Sequence, residues 1–231
     1  MINWSFDYRP KSFDDMALYP LLRKRLEFYA KTGDFSHLIL TGDTGVGKTT
    51  AARILGNLSS FSTIEEDCAK DNSKARMLRV AKGTTTGTLF GTKRLIIMDE
   101  FHEIPLSAQK IFNKTMEDNN YNTIFVFCVN DINKVADPIV SRCLTLNFDI
   151  GHIPKNKKHF VLNSYVDMTK KEWIEELLRI TRIVAERAGN KLSNNHLNDI
   201  MIRTYTDNEF YLTDCRRFIR SVEEQIKMET T

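Results

Sequence analysis

The sequence has no long hydrophobic run. No apolar stretch approaches the roughly 20 residues that a membrane-spanning helix needs, and the first five residues lack the basic and apolar regions of a signal peptide. Glycine and proline are scarce, with 10 and 5 in 231 residues, while 42% of the residues are apolar. This composition is typical of a packed chain rather than a disordered one. We therefore expect a cytoplasmic protein of one or two domains.

Cysteine pairs and an excess of one charge are also missing. The four cysteines form no C-x-x-C pair, which argues against a disulfide framework and a zinc knuckle. The net charge is only +3, which excludes a histone-like tail protein. Basic residues are concentrated between Cys68 and Arg94, where seven of them accompany one acidic residue, Asp71.

Short apolar runs alternate with amphipathic segments in the first 150 residues. This alternation predicts an α/β fold, a parallel sheet flanked by helices. The predicted strands are His37 to Thr41, Arg94 to Asp99, Thr123 to Val129 and Leu144 to Phe148. The predicted helices are Leu21 to Tyr29, Thr49 to Leu58, Asn72 to Ala81 and Ser107 to Glu117.

Beyond about residue 150 the strand pattern stops. Helical spacing covers Lys170 to Ala188, His196 to Thr204 and Thr213 to Met228. We therefore expect two domains, a nucleotide-binding domain over residues 1–150 and a small all-helical domain over residues 151–231.

A glycine-rich segment between the first predicted strand and a helix carries the strongest chemical signal. It fits the pattern G-x-x-x-x-G-K-[S/T], in which backbone N–H groups converge on phosphates at a helix N-terminus. Lys48 would reach the β- and γ-phosphates, and the Thr49 hydroxyl would bind Mg²⁺. The residues expected to bind the nucleotide here are Gly42, Asp43, Thr44, Gly45, Val46, Gly47, Lys48, Thr49 and Thr50.

Two other predicted strands end in polar residues. Asp99 can hold Mg²⁺ through water, and Glu100 can polarise an attacking water as general base. Asn130 either begins a turn or hydrogen-bonds the γ-phosphate or its water. Arg142, between Ser141 and Cys143, is either a surface residue or an arginine finger for another subunit's nucleotide. The glycine-rich loop with Asp99 and Glu100 predicts an NTPase.

The order of these motifs resembles the small ATPase subunits of sliding-clamp loaders, AAA+ proteins of the replication factor C type. The sequences of these motifs are nearest those of the T-even-like phage form, and the resemblance covers about residues 8 to 224. It implies ATP and Mg²⁺ as cofactors. The implied partners are other loader subunits in a ring or spiral, a sliding clamp and primer-template DNA. The matching segments are YRPK from Tyr8, the glycine-rich loop, DEFH from Asp99, Asn130, SRC from Ser141 and DCRR from Asp214.

The resemblance also implies roles for single residues. It makes Asn130 sensor 1, Arg142 the finger supplied to a neighbouring subunit, and Arg216 the sensor 2 arginine of a helical lid. The residues that match the segment lying against the adenine are Tyr8, Arg9 and Pro10.

The basic segment provides a candidate DNA surface. On a helix, Met77, Val80 and Ala81 can face the core while the basic side chains point outward, although a solvated surface is the alternative. The resemblance favours DNA and adds the helix whose segments Ser107 to Gln109 and Thr115 to Glu117 resemble the lining of a central channel. The residues expected to contact phosphates are Lys74, Arg76, Arg79, Lys110 and Lys114.

Two features depart from the family pattern. The helical collar of the family would begin where this chain stops, at Thr231, so we expect a truncated or split product or a ring held in another way. The fourth residue of the Asp-Glu-x-x box is His102, where cellular members have Asp. We expect His102 to be a surface residue at a helix entry rather than a catalyst.

The main interpretation is ATP-driven clamp loading, in which DNA triggers hydrolysis and release. One alternative is an AAA+ helicase loader or initiator, but the extra helical insertion or DNA-binding domain common in that class is not seen in the sequence. Another is a scaffold that binds ATP with little turnover. The presence of Asp99, Glu100 and Arg142 counts against the scaffold.

Overall fold

A parallel sheet organises the first 149 residues. The computed structural model describes residues 4–83, 93–118, 122–149, 170–190, 192–193, 196 and 215–229. In these ranges five parallel strands form one sheet with the spatial order β2-β3-β4-β1-β5. The strands are β1 (Leu38–Thr41), β2 (Ser62–Asp67), β3 (Arg94–Asp99), β4 (Thr123–Val129) and β5 (Leu144–Asn147).

Helices flank the sheet and follow it in the chain. The described α-helices are α1 (Trp4–Asp7), α2 (Pro20–Thr32), α3 (Lys48–Leu58), α4 (Lys74–Gly83), α5 (Leu106–Asp118), α6 (Asp137–Val140), α7 (Lys170–Arg187) and α8 (Cys215–Glu229). The predicted α/β class, a parallel sheet flanked by helices, is therefore confirmed. The predicted helix from His196 to Thr204 lies outside the described residues except for His196.

Alternating residues of the central strands pack on opposite faces of the sheet. In β4, Val126 packs with α2 and α3, whereas Phe125 and Phe127 pack with α5. Both β4 and β1 are buried at every position. Strands buried on both faces appear in sequence as continuous apolar runs, which is why they could be predicted.

One strand, β2, was not predicted. It pairs only with β3 in the described sheet and is largely exposed. Its sequence, STIEED, ends in three carboxylates, of which Glu65 pairs with Arg53 and Glu66 with Arg76. A polar edge strand has no apolar run that would reveal it in the sequence. Backbone pairing with the buried β3, and not its amino-acid composition, makes this segment a strand.

The helix α2 shows how local sequence sets the ends of an element. Pro20 occupies its first turn, where a missing N–H costs nothing. Gly33 ends it with a φ of 61°, and the Gly33 N–H bonds to the Tyr29 carbonyl. The helix is therefore longer than the predicted segment, which ended at Tyr29.

The helices at the two ends of the described chain form a separate core. Trp4 of α1 packs in one cluster with Trp173 of α7 and Phe218 of α8. The backbone N–H of Trp4 donates to Glu223 Oε2 at 3.0 Å. The division into residues 1–150 and 151–231 stays a proposal, and Trp4 and Tyr8 contribute to the C-terminal cluster.

A part-buried arginine joins this second core to the segment beside the glycine-rich loop. Arg23 of α2 donates to the carbonyl oxygens of Phe13 at 2.6 Å and Met16 at 3.0 Å. The same guanidinium pairs with Glu176 of α7. Because Met16 lies against the glycine-rich loop, this arginine fixes α7 relative to that loop.

A buried amide fixes the segment after β4. Gln109 of α5 has no exposed surface. Its Nε2 donates to the carbonyl oxygens of Ile104 and Lys134, both at 2.9 Å, and its Oε1 accepts from the Ala136 N–H at 2.8 Å. The predicted channel helix therefore turns Gln109 inward, not toward a channel.

We expect Gln109→Leu to lower the free energy of unfolding by about 3 kcal/mol, because each buried backbone group left unpaired costs about 1–3 kcal/mol. Urea unfolding followed by circular dichroism measures the loss. Lys110→Leu, at the exposed neighbouring position, is the control and should change stability by only about 0.5 kcal/mol. Equal losses in both variants would contradict the role assigned to the amide.

Candidate nucleotide-binding site

The site is built where three neighbouring strands end. In the sheet β4 lies between β3 and β1, and Thr41 of β1 pairs with Val129 of β4. The residues that follow these strands therefore meet at one edge. They are Gly42 after β1, Glu100 after β3 and Asn130 after β4.

The glycine-rich loop needs glycine at its close approaches. Gly42 has a φ of +150°, and a Cβ there would lie 2.9 Å from Asp149 Oδ1. Gly47 has a φ of +99°, and its Cβ would lie 2.7 Å from Met16 Cε. The Asp149 carboxylate also accepts the Asp43 N–H at 2.7 Å. Asp149 was not predicted as a site residue, since nothing in its local sequence connects it with a loop 106 residues earlier.

The lysine of the loop is buried among oxygen atoms. Lys48 Nζ donates to the carbonyl oxygens of Gly42 and Asp43, both at 2.7 Å, and to Asn130 Oδ1 at 2.9 Å. Burial lowers the pKa of Lys48, and nearby acidic groups such as Glu100 act in the opposite direction. A desolvated cation among neutral acceptors favours an anionic partner.

The hydroxyl and carboxylates beside the lysine suit a magnesium ion. Thr49 Oγ1 donates to Asp99 Oδ1 at 2.8 Å, so the two predicted magnesium ligands lie together. Magnesium is usually held by one or two carboxylates together with substrate phosphates and water. This all-oxygen donor set fits such an ion.

Glu100 has an unusual backbone. Its φ is 52°, in the left-handed region, where a residue other than glycine costs of order 1–3 kcal/mol. This conformation turns the chain sharply between β3 and the short 3-10 turn Phe101–Glu103. Asn130 Nδ2 donates to Glu100 Oε2 at 3.3 Å.

The expectation for His102 is wrong in one respect. His102 does lie at a helix entry, but its side chain is only 7% exposed. The turn at Glu100 carries the ring back beneath the end of β4, where His102 Nδ1 accepts the Asn130 N–H at 3.4 Å. The sequence gives no local signal for this contact.

A second pocket adjoins the loop between the two cores. Tyr8, Arg9 and Pro10 line it together with Gly47 and Arg216. Burial lowers the pKa of Arg9, and the neighbouring guanidinium groups of Arg53 and Arg216 lower it further. Arg216 also lines the pocket that contains Lys48, Asp99 and Glu100. Asp214 lies outside the described residues.

The apolar wall of this pocket was not predicted. It is supplied by helix α7 and by the segment before α2. These residues are ordinary helix and loop apolar positions, so composition does not distinguish them from core. They include Met16, Ala17, Ile180 and Val184.

Arg142 lies apart from these groups and lines neither pocket as the structure describes them. It follows α6, donates to the Pro138 carbonyl at 2.7 Å and pairs with Glu117 of α5. The guanidinium is about a third exposed.

The predicted DNA residues lie on two helices. On α5, Ser107, Lys110, Lys114 and Glu117 form one exposed stripe at helical spacing. The intervening residues Ala108, Gln109, Thr115 and Met116 are buried.

On α4, Met77 and Ala81 are buried as predicted, while Lys74 and Arg79 are exposed. Arg76 differs from them because it pairs with Glu66 of β2.

Comparison with known families and proteins agrees with this geometry. The ATPase family associated with various cellular activities (AAA) matches residues 38–149. The replication factor C small subunit 1 of Pyrobaculum islandicum is 30% identical over 82% of this chain and 60% of its own length. The small subunit of Methanoculleus marisnigri is 34% identical over 63% of this chain and 47% of its own. The chain thus spans less than two thirds of these relatives.

Solved structures show the same fold. The Thermotoga maritima RuvB Holliday junction branch migration motor superposes with a TM-score of 0.70, at 17% identity, over 96% of this chain and 66% of that one. At this identity the likeness concerns the fold alone. The chain therefore has an AAA+ P-loop fold, and its sequence is similar to the small subunits of replication factor C.

Proposed function

We propose that the chain is the ATPase subunit of a DNA sliding-clamp loader, which uses ATP to open a clamp and load it on primer-template DNA. The observation that carries the proposal is the convergence of Lys48, Asp99, Glu100 and Asn130 at one edge of the sheet. The similarity to replication factor C small subunits is the reason for proposing clamp loading as the process that uses this ATPase.

Each of these groups has a proposed task in hydrolysis. Lys48 binds the β- and γ-phosphates, and Glu100 takes a proton from the attacking water. Asn130 orients that water and the Glu100 carboxylate. Thr49 and Asp99 would hold Mg²⁺, which when bound neutralises charge on the phosphates.

The second pocket suits the nucleoside. Tyr8, Arg9 and Pro10 face the adenine between the glycine-rich loop and α7. Arg216 reaches the phosphates from α8, since it borders both pockets. ATP therefore bridges the sheet and the C-terminal helices.

The site is proposed to be completed by a neighbour. Arg142 lies away from its own P-loop and is exposed enough to reach another subunit. An arginine supplied from a partner contributes about 10³–10⁵ in rate in related phosphoryl transfers. The proposed partners are therefore other loader subunits, along with the clamp and primer-template DNA.

The two basic helix faces are the proposed DNA surface. Lys110 and Lys114 on α5, with Lys74 and Arg79 on α4, are exposed and can neutralise backbone phosphates. Arg76 can contact DNA phosphates only if its ion pair with Glu66 breaks. A cytoplasmic location also stays a proposal. Within the described residues no helix is both long and apolar enough to cross a bilayer.

We expect Lys48→Ala to weaken ATP binding about 100-fold, because a charge-assisted contact is worth up to about 3 kcal/mol. Calorimetry with Mg-ATP measures the affinity. Lys31→Ala removes an equal charge from the exposed face of α2 and should bind like wild type. Unchanged affinity in Lys48→Ala would overturn the P-loop assignment.

We expect replacing Lys110 and Lys114 by Ala to flatten the salt dependence of binding to primer-template DNA by about 2 units of log–log slope, near 0.9 for each phosphate contact. A second pair, Lys74→Ala with Arg79→Ala, should act alike. Fluorescence anisotropy over a salt series gives the slope. The control pair Lys24→Ala and Lys31→Ala removes the same charge from α2; an equal effect there would mean that net charge alone matters.

We expect a chain with Arg142→Ala, mixed with a Lys48→Ala chain under conditions in which the subunits assemble on primer-template DNA, to hydrolyse ATP faster than either alone. The second chain lends the arginine that the first lacks. A Lys48→Ala, Arg142→Ala chain is the matched control and should restore nothing. Rapid hydrolysis by a proven monomer that is insensitive to Arg142→Ala would refute the composite site.

A further inference from the structure

A buried histidine lies between the two groups that are proposed to handle the attacking water. His102 Nδ1 lies 3.4 Å from the Asn130 backbone nitrogen. Its Nε2 lies 3.3 Å from Glu100 Oε2, 3.4 Å from Glu103 Oε1 and 3.5 Å from Asn130 Nδ2. One ring therefore contacts the end of β4 and the residue after β3 at once.

These neighbours assign the tautomer of the ring. The Asn130 N–H is a donor, so Nδ1 must be the bare acceptor. The proton of the neutral ring is then on Nε2, which lies within donating distance of the carboxylates of Glu100 and Glu103. Asn130 Nδ2 is itself a donor, so it bonds to Glu100 and not to the ring.

Glu100 Oε2 consequently has two donors within reach, the Asn130 amide and the imidazole Nε2, each at 3.3 Å. The backbone of Glu100 is in the left-handed region, but this conformation does not by itself fix the orientation of the side chain. Two donors converging on Oε2 restrict its orientation. Displacing a reacting group by about 1 Å can cost about 100-fold in rate.

We propose that His102 is a positioning residue for hydrolysis, which holds the Glu100 carboxylate through Nε2–H and the start of the Asn130 segment through Nδ1. This rests on the proposed function, in which Glu100 is the general base. Glu103 Oε1, 3.4 Å from Nε2, is a second acceptor within reach of the same N–H.

The chain contains a matched histidine for comparison. His37, at the other end of the sheet, is also buried, and its Nδ1 accepts the backbone N–H of Phe125 of the same strand β4 at 3.1 Å. It touches no residue of the proposed site. His37 therefore reports what such a bond contributes to stability alone.

Two amide substitutions separate the two ring nitrogens. His102→Asn keeps an acceptor near the position of Nδ1 but has no donor that reaches Glu100. His102→Gln places an amide donor near the position of Nε2. We expect His102→Asn to lower kcat about 10- to 100-fold with the Kd for ATP unchanged, and His102→Gln to restore most of kcat. A role in stability alone predicts no advantage for Gln.

The measurement is single-turnover hydrolysis with the full chain in excess over radiolabelled Mg-ATP, which detects slow rates. Calorimetry gives the ATP affinity, and thermal unfolding gives the stability of each variant. His37→Asn and His37→Gln should lower the melting temperature while the rate for folded protein stays at the wild-type value. Nitrogen-detected NMR of the His102 ring should show Nε2 protonated and Nδ1 bare.

The benchmark is Glu100→Gln, which should bind ATP and hydrolyse it about 10²- to 10⁴-fold more slowly. If Glu100→Gln hydrolyses like wild type, the general-base assignment fails. If Glu100→Gln is slow but both His102 variants retain kcat, or if both lose it equally and in step with stability, the positioning role fails alone. A proton on Nδ1 in the wild-type ring also overturns it.

Discussion

The parallel pairing of β1 with β4 and of β4 with β3 is the constraint on which the site depends. Since the strands run in one direction, each delivers its following residue to the same edge. β4 is buried over all seven residues, with Phe125 and Phe127 inserted against α5. A one-residue shift of that strand would move these rings to the opposite face of the sheet and break their packing against α5, so the packing of the core fixes where Asn130 stands relative to Lys48 and Glu100.

Much of this arrangement could be predicted because its signals are local. Runs such as residues 94–99 and 123–129 are apolar because both faces of the sheet are covered, and their predicted bounds match the structure. The glycine-rich loop can be recognised in the sequence because Gly42 and Gly47 adopt positive-φ conformations that other residues rarely adopt. The strand β2 has no such signal, since pairing with β3 and not side-chain burial makes it a strand.

The residues that sequence could not place act across long separations. Asp149 bonds to Asp43, and Arg23 joins Met16 to Glu176 on α7. Each is an ordinary polar residue in its own segment, and only the fold gives it a partner. His102 misled for the same reason. A histidine three residues after a strand suggests a solvent-exposed turn. The positive φ of Glu100 instead turns the chain so that the His102 ring lies under the neighbouring strand β4.

The polar groups of the site form one connected network. Lys48 bonds to the Oδ1 of Asn130, the Nδ2 of the same amide bonds to Glu100, and Glu100 faces His102. A buried ammonium and a carboxylate are thereby joined through a neutral amide rather than by direct contact, so neither charge lacks a partner and neither neutralises the other completely. An anion that binds at the glycine-rich loop competes with Asn130 Oδ1 for the lysine. The Asn130 amide contacts both Lys48 and Glu100, so any rotation of the amide alters the contact with Glu100. The phosphate-binding end of the site is therefore physically coupled to the end that activates water.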